Sequence, residues 1–389
     1  MNYHLMIDEK FIDKFIESAE IVAPGKNFFI ITATFPGTFV KSPKGIFALP
    51  FSDEFNKIIA GIKEDDRLFI HWFENYLIEV LNNVCEQTPV YLFFWGGDLL
   101  GQIPSNLEFN LDLLAKKYLS ISEKKMLLYF PRNPIWYLKN IKRYFDRQRL
   151  KMIKQGAEIL ARIKLLERLN YFCHWNKLDL ERVIEAYGGS PIFLDFVYDV
   201  GLGKIQQSIE SKKSLGSTIN IWLGNSDQIT NNHLDAIQVL KKFKSENIKI
   251  YCPLNYDYGE YGKYVSNKGI KYFARKWEDF TEFMPLAEYL QLLNSADIVV
   301  MYHNVTQAAG NIFSFIRMGK KVFVKKQSTI FSLMQENGIK IFDANTIEKM
   351  TFQEFMEPLS PDEVSMNFLK ICNMFSDDRR LSNLRSILN

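Results

Sequence analysis

The residues with the clearest chemical potential lie between Ile219 and Leu240, where a strand pattern leads directly into a helix pattern. Apolar residues occupy alternate positions over the first five residues and return at helical spacing in the second half of the stretch. Between the patterns stand Gly224, Asn225 and Ser226, which predict a tight turn because glycine permits a backbone that excludes a Cβ atom. Backbone N–H groups left free at the start of such a helix suit a phosphate group. An ordinary strand–helix turn without a ligand is also compatible with this spacing.

Two titratable residues of the first half end predicted strands. Asp98 follows a strongly apolar run and two glycines, and His71 closes the apolar run before it. A carboxylate at the carboxyl end of a parallel strand faces the ligand crevice, so Asp98 is a candidate general base or acceptor ligand. His71 is a rival base, and Glu74 is a third candidate. The alternative interpretations are a turn aspartate and a structural histidine.

The composition is that of a large globular protein. The chain has 389 residues, 47% of them hydrophobic and 24% charged, which is ordinary for a protein of two domains. A formal net charge of +3 gives no argument for nucleic-acid binding. The four cysteines are far apart and form no C-x-x-C pair, so we expect neither a zinc site nor a disulfide framework. That usage fits a reducing cytoplasm.

The sequence shows neither a signal-peptide pattern nor a membrane-spanning segment. The first residues lack a basic segment followed by a long apolar one, so no signal peptide is expected. No apolar run approaches the ~20 residues of a spanning helix. Any membrane contact is therefore expected to be peripheral.

Strand and helix patterns alternate along most of the chain, which predicts parallel α/β sheets. The polar, glycine-containing segment from Asp199 to Ser217 is the best linker candidate. We therefore expect an N-terminal domain over residues 1–205 and a C-terminal domain over residues 215–389, whose last helix can return to the first domain. Two such halves predict two Rossmann-like domains that face each other across a cleft.

A basic helical region interrupts this pattern at about residues 137–168. It holds 10 lysines and arginines against 3 acidic residues, with aromatic residues interleaved near its start. A basic helix flanked by aromatic residues can lie on an anionic membrane surface, where each basic residue contributes ~1 kcal/mol. A solvated helix face packed on the domain is the alternative interpretation.

Several ordered segments carry a resemblance to a known family. They read F-F-W-G-G-D-L in the first half, and I-W-L-G-N-S-D-Q-I-T-N-N-H-L-D-A-I, C-P-L-N-Y, A-E-Y-L-Q-L-L-N-S-A-D-I-V-V and T-Q-A-A-G-N-I-F-S-F-I-R-M-G-K-K-V-F-V in the second. Together they resemble the TDP-N-acetylfucosamine:lipid II N-acetylfucosaminyltransferases of enterobacterial common antigen synthesis, glycosyltransferase family 56. The resemblance covers about Ile219 to Val324 and is patchy before it. The basic region looks like an insertion, and T-Q-A-A-G-N stands where the family has a more glycine-rich turn.

The resemblance implies a GT-B fold, with an N-terminal acceptor domain and a C-terminal nucleotide-sugar domain. Such enzymes typically work without a metal ion, and no D-x-D follows a predicted strand here as a divalent-cation site. No cofactor is expected, because the donor sugar nucleotide is a substrate. The departing diphosphate must then be stabilised by backbone N–H groups, hydroxyls and cationic side chains.

The resemblance also implies roles for individual residues. Asp98, with His71 as rival, would be the general base. The donor site would be formed by residues that end strands or begin helices: Gly224, Asn225 and Ser226 at the diphosphate; Gln307, Ala308, Gly310 and Asn311 at phosphate or sugar; Pro253 and Tyr256 at base or ribose; Glu282 at ribose; and Tyr302 and His303 at the sugar. The alternative interpretations are a helix-capping residue for Gln307, a core-edge tyrosine for Tyr256 and a helix N-terminal acid for Glu282.

The expected activity is transfer of a 6-deoxy-amino or related sugar from a TDP- or UDP-sugar to a lipid-linked or other glycan acceptor in bacterial surface polysaccharide synthesis. The expected location is the cytoplasmic face of the cell membrane. Two alternatives remain open at this level. One is a nucleotide-sugar epimerase or hydrolase on the same scaffold, and the other is a non-catalytic, membrane-associated protein of glycan assembly.

Overall fold

A computed structural model describes residues 1–101, 111–124, 156–199, 217–255, 259–282 and 284–389. It divides into two compact units. Unit 1 comprises the described residues of 1–103, 151–201 and 374–389, and unit 2 comprises those of 104–150 and 202–373. The C-terminal helix thus belongs to the unit that also contains the N-terminus.

The described strands in chain order are β1 (Asn2–Met6), β2 (Asn27–Ile31), β3 (Gly45–Phe47), β4 (Arg67–Ile70), β5 (Val90–Phe93), β6 (Tyr171–His174), β7 (Ile192–Asp195), β8 (Ile219–Leu223), β9 (Ile248–Pro253), β10 (Trp277–Phe280), β11 (Ile298–Met301), β12 (Lys321–Val324) and β13 (Phe342–Asp343).

The described α-helices in chain order are α1 (Ile12–Val22), α2 (Asp53–Ala60), α3 (Leu77–Asn83), α4 (Leu113–Lys124), α5 (156–168), α6 (Lys177–Tyr187), α7 (His233–Leu240), α8 (Glu260–Phe273), α9 (Leu286–Ser295), α10 (Ala309–Arg317), α11 (Thr329–Glu336), α12 (Phe352–Met356), α13 (Pro361–Met374) and α14 (Asp377–Leu388). None of the helices in the described part of the chain combines the length and the apolar character needed to cross a bilayer.

Each unit contains one parallel sheet. The order in unit 1 is β3-β2-β1-β4-β5-β6-β7, and the order in unit 2 is β10-β9-β8-β11-β12-β13. Every strand pair is parallel. The predicted class, two α/β domains built on parallel sheets, is therefore confirmed.

Most residues of the central strands are buried, as expected when helices cover both faces of a parallel sheet. In unit 1 this makes β5 a continuous apolar run in which all four residues are buried. Phe69 and Phe93 of that unit are fully buried, so much of the high aromatic content serves the core. In unit 2 the largest buried side chain is Trp222, whose indole N–H donates to the Gly224 carbonyl at 2.8 Å. This bond ties the end of β8 to the turn that follows it.

The sequence from Tyr272 to Arg275 reads as a short strand, and this prediction is wrong. The segment forms the end of α8 and a short 3-10 turn, and the strand β10 follows it. The helix buries Val265, Gly269 and Phe273 at four-residue spacing. A Cβ atom at Gly269 would lie 2.1 Å from the Trp277 ring, so the glycine allows α8 to lie against the start of β10. Glycine is a poor helix former, and tertiary packing overrides that preference here.

Two predicted segments lie wholly or partly outside the described residues. They are the linker at 199–217, of which residues 200–216 are not described, and the basic region at 137–168, of which 137–155 are not described. Residues 156–168 of the basic region are helical, as expected.

Candidate active site

The switch point of the unit 2 sheet lies between β8 and β11. From β8 the chain proceeds to β9 and β10 on one side, and it then returns to β11 on the other side. Ligands of open parallel sheets bind at the carboxyl ends of the strands at such a point. The turn after β8 begins at Gly224, and the loop after β11 contains residues 302–308. Most predicted donor-site residues lie on these two segments.

The turn after β8 requires glycine for two reasons. Gly224 has a φ of +73°, in the left-handed region that residues with a Cβ atom rarely adopt. A Cβ atom there would also lie 2.6 Å from Nε2 of His233, the first residue of α7. The His233 ring is fully buried, neither of its nitrogens has a hydrogen-bond partner within the described residues, and burial lowers its pKa to about 3. A neutral, buried ring therefore packs directly against the turn.

The two predicted segments are joined by a side-chain hydrogen bond. Gln307 Nε2 donates to Asn225 Oδ1 at 3.2 Å, and Thr230 Oγ1 donates to Gln307 Oε1 at 2.9 Å. Asn231 Oδ1 accepts from the Asn225 backbone N–H at 3.2 Å, which holds the turn from its other side. Asn225 and Gln307, separated by 82 positions, thus meet as one polar surface.

Ser226 is buried, at 4% exposed, whereas Asn225 beside it is partly exposed. Its hydroxyl and its carbonyl both accept from Asn231 Nδ2, at 3.3 and 3.2 Å. This side chain shapes the turn, and Asn225 is the more accessible member of the predicted set.

The helix α10 begins beside this surface without a side-chain cap. Its N-cap residue, Ala308, has a φ of +56°, an uncommon conformation for a residue other than glycine. The space next to Gly310 is open, since nothing lies within 4 Å of the position of an added Cβ. Gln307, Gly310 and Asn311 are all partly exposed. The N–H groups of an uncapped first turn and the helix dipole together favour an anion.

The two residues that end β11 are more deeply buried. Tyr302 is 7% exposed, and its carbonyl accepts from Asn232 Nδ2 at 3.2 Å. His303 is fully buried, and its Nδ1 donates to the Val305 carbonyl at 2.7 Å. A carbonyl only accepts, so the proton sits on Nδ1 and Nε2 is an acceptor without a partner among the described atoms. Burial lowers the pKa of His303 to about 4.

The remaining predicted donor residues belong to other segments of the chain. Pro253 ends β9 and is paired in register with Phe280. Tyr256 lies outside the described residues, and Glu282 is exposed ahead of α9.

Sequence reasoning missed an ionic group at the same strand ends. Lys325 follows β12, and its Nζ donates to a carboxylate oxygen of Asp112, whose other oxygen accepts from Asn304 Nδ2 at 3.1 Å. The Asp112 backbone N–H donates to Asn232 Oδ1 at 2.7 Å. Lys325 could have been found from its place at the end of a predicted strand, but no local pattern points to Asp112.

In unit 1, Asp98 is the second residue of a π-helical turn, Gly97–Gly101, that follows β5, and it is 2% exposed. Its Oδ2 accepts from the Phe73 N–H at 3.4 Å, and Oδ1 has no partner in the described part of the chain. Burial raises the pKa of Asp98 to about 6, although backbone N–H groups oppose the shift. Arg162 of α5 donates to the Asp98 carbonyl at 3.0 Å. A carboxylate that titrates near neutrality suits general-base catalysis.

His71, the rival base, lies inside a buried chain of hydrogen bonds. Its Nε2 is 3.0 Å from His4 Nδ1, and its Nδ1 is 2.5 Å from the Tyr198 hydroxyl. His4 Nε2 is 3.4 Å from Asn27 Oδ1, while Asn27 Nδ2 donates to the Ala23 carbonyl. The amide oxygen of Asn27 only accepts, so His4 must donate to it from Nε2, and His4 Nδ1 is left as an acceptor. His71 then donates from its Nε2 to His4 Nδ1. Both histidines therefore carry their proton on Nε2. Tyr198 then donates to His71.

The histidine chain predicts a spectroscopic result. Burial lowers the pKa of His4 to about 3 and that of His71 well below its ordinary value. We expect long-range ¹H–¹⁵N spectra to show two neutral Nε2–H rings that do not titrate between pH 5 and 8. Both histidines have a lower pKa in the folded protein than in the unfolded chain. As pH falls below about 6.5, the unfolded chain binds protons that the folded protein does not, so the free energy of unfolding decreases.

Two variants test this chain of hydrogen bonds. Tyr198→Phe removes the donor to His71 Nδ1 and should shift that nitrogen resonance, whereas Tyr171→Phe should leave it unchanged. Protonation of either ring near pH 6.5 would contradict the assignment.

Residues 199–373 match the family model described as 4-alpha-L-fucosyltransferase, glycosyl transferase group 56. The chain is a glycosyltransferase. The matched region is less than half of the chain, and it contains the turn after β8, the start of α10 and Lys325. Asp98 and His71 lie outside it.

Solved structures similar to the enzyme extend the match in fold to nearly the whole chain. HepE of Anabaena, in complex with UDP and glucose, has a TM-score of 0.62 at 11% identity and covers 99% of each chain. A sucrose-phosphate synthase of Thermosynechococcus elongatus has a TM-score of 0.62 at 8% identity, over 99% of this chain and 97% of its own. A UDP-forming trehalose-phosphate synthase of Burkholderia xenovorans has a TM-score of 0.54 at 7% identity, over 100% and 98%. The fold is therefore GT-B, as the resemblance implied.

Proposed function

We propose that the enzyme transfers a 6-deoxy-amino sugar, or a related sugar, from a TDP- or UDP-sugar to a lipid-linked or other glycan acceptor. The observation that carries the donor assignment is the junction of the turn at Gly224 with the uncapped start of α10, made through Gln307 and Asn225 inside the matched region. This junction lies at the switch point of the unit 2 sheet, where parallel sheets bind ligands. HepE, a protein of similar fold, is described in complex with UDP.

The chemistry proposed for this junction is stabilisation of the leaving diphosphate. As the bond between the sugar and the phosphate breaks, negative charge accumulates on phosphate oxygens. N–H groups held in place by the fold stabilise that charge without reorganising. The first turn of α10 supplies such groups next to the amide side chains of Asn225 and Gln307. We propose that these backbone N–H groups and side-chain amides stabilise the diphosphate in place of a metal ion.

Asp98 is the proposed general base. It would accept the proton of the acceptor hydroxyl while that oxygen forms its bond to the anomeric carbon and the nucleoside diphosphate departs. The support is its place after the carboxyl end of β5, an Oδ1 without a hydrogen-bond partner among the described residues, and its raised pKa. His71 is less suited to this role, because both of its ring nitrogens are engaged in hydrogen bonds.

The acceptor and the location are proposed from the family resemblance. A lipid-linked acceptor of surface polysaccharide synthesis requires the enzyme to work at the inner face of the cell membrane. The basic region at 137–168 supports peripheral contact through its charge. Co-sedimentation with anionic vesicles should be lost in high salt, and binding to neutral vesicles alone would count against this role.

Nucleotide binding tests the proposed function. We expect TDP or UDP to raise the melting temperature of the enzyme, with GDP as the comparison nucleotide. Gln307→Ala removes the bond to Asn225 and should weaken binding about tenfold, as expected for the loss of roughly 1.4 kcal/mol. The control is Gln335→Ala, an exposed residue of α11. No stabilisation by any nucleotide, together with no donor turnover, would refute the proposal.

A further inference from the structure

Three buried lysines lie at the two ends of β12. Lys320 is 3% exposed, Lys321 is 6% exposed and Lys325 is 4% exposed. The first two lie at the amino end of the strand, and their ammonium groups donate to backbone carbonyls, Lys320 to Asn294 at 2.7 Å and Lys321 to Glu354 at 2.7 Å. Both therefore hold neighbouring segments together. Lys325 alone of these three lies at the carboxyl end, on the edge that carries the donor site.

Lys325 is held close to the loop after β11. Met301 is paired in register with Val324, so Lys325 lies beside Tyr302, and its Nζ is 4.8 Å from the centre of that ring. Burying an ammonium group is costly unless an anion compensates it. In this structure the compensating anion is the carboxylate of Asp112.

Asp112 reaches this position from a distant part of the chain. It stands just before α4, whose first N–H groups, at Leu114 and Ala115, donate to the Asp235 carboxylate of α7 at 2.9 and 3.1 Å. Ala115 is fully buried, so the start of α4 is packed into unit 2. The segment thus brings one carboxylate into contact with both Lys325 and Asn304. The contact lies at the carboxyl ends of parallel strands, which is where open parallel sheets bind ligands.

We propose that Lys325 is the cation that binds the donor diphosphate, and that Asp112 positions it in the free enzyme and gives it up to the phosphate. This inference rests on the proposed function. A diphosphate carries more negative charge than a carboxylate, and Coulomb attraction is strong where water is excluded. Lys325 then stabilises the charge that develops as the nucleoside diphosphate leaves.

Binding of nucleoside diphosphates and nucleosides separates this role from a structural one. Lys325→Met should weaken UDP or TDP binding tenfold or more, should flatten its salt dependence, and should leave the affinity for uridine or thymidine unchanged. Asp112→Asn removes the competing charge and should tighten diphosphate binding several-fold. Lys326→Met is the matched control, since the next lysine along is exposed.

The outcomes are distinct. Diphosphate binding by Lys325→Met at the wild-type affinity overturns the inference while the proposed function stands. Failure of the wild type to bind any nucleotide refutes the proposed function instead. If Lys325→Met does not fold, the double variant Lys325→Met with Asp112→Asn removes both charges together, and wild-type diphosphate affinity in that variant overturns the inference equally. Unchanged affinity in Asp112→Asn overturns the competition between carboxylate and phosphate.

Discussion

Asp98→Asn is expected to slow sugar transfer by at least a hundredfold, to leave nucleotide binding intact and to remove a pH dependence of stability. The carboxyl group is buried, with one oxygen unpartnered among the described atoms. An amide has nearly the same shape but cannot accept the proton of the acceptor hydroxyl. Loss of a positioned general base lowers turnover by about 10²–10⁴-fold.

The stability effect follows from burial. Asp98 has a pKa of about 6 in the folded protein against an ordinary value of 3.8. The folded state therefore binds this proton more tightly, and the resulting stabilisation, present in full below about pH 4, is lost as pH rises through about 6. The difference of roughly two pKa units corresponds to about 3 kcal/mol. Asparagine does not titrate, so the variant should lose less stability than the wild type between pH 5 and pH 8.

Urea unfolding at those two pH values and a pH profile of turnover check the prediction for Asp98. Wild-type turnover should rise with pH through about 6, as the base ionises. Glu79→Gln provides the control, because this exposed carboxylate lies on α3 and has no predicted role in catalysis. Wild-type turnover in Asp98→Asn would assign Asp98 to the turn alone.

Gly224→Ala is expected to lower the free energy of unfolding by more than the addition of one methyl group usually does. The positive φ alone costs about 1 kcal/mol for a residue with a Cβ atom. The methyl group would also meet the His233 ring at 2.6 Å and Asn231 Oδ1 at 3.2 Å, and overpacking of that kind adds about 1–3 kcal/mol. The neighbours can yield only by moving the start of α7, which would displace Asn225. We expect a lower urea midpoint and at least tenfold weaker binding of TDP or UDP.

Gly25→Ala separates strain from collision. Gly25 has a φ of +69°, but nothing lies within 4 Å of its added Cβ. It should lose about 1 kcal/mol from backbone strain and keep its affinity for nucleotides. Equal losses in the two variants would show that the support by His233 is unimportant.

Much of the fold could be predicted because its signals are local. Apolar strand patterns act between close neighbours, and the five-residue pattern that begins at Ile219 forms β8 with the expected limits. The turn at Gly224 was recognisable for the same reason, since a left-handed residue between a strand and a helix requires glycine. The helix α8 escaped prediction because its glycine, tyrosine and lysine content disguised a buried stripe that only the contact with Trp277 explains.

By itself, the sequence determined two α/β domains, the strand–turn–helix unit at Gly224, and the family to which that unit is similar. Only the tertiary structure decided that Gln307 holds Asn225, that His71 is enclosed by other rings, and that Asp112 and Lys325, separated by 213 positions, form an ion pair. The reason is physical. Apolar periodicity and turn chemistry act between neighbours in the chain, whereas a buried charge or an amide selects its partner by proximity after the sheet has assembled.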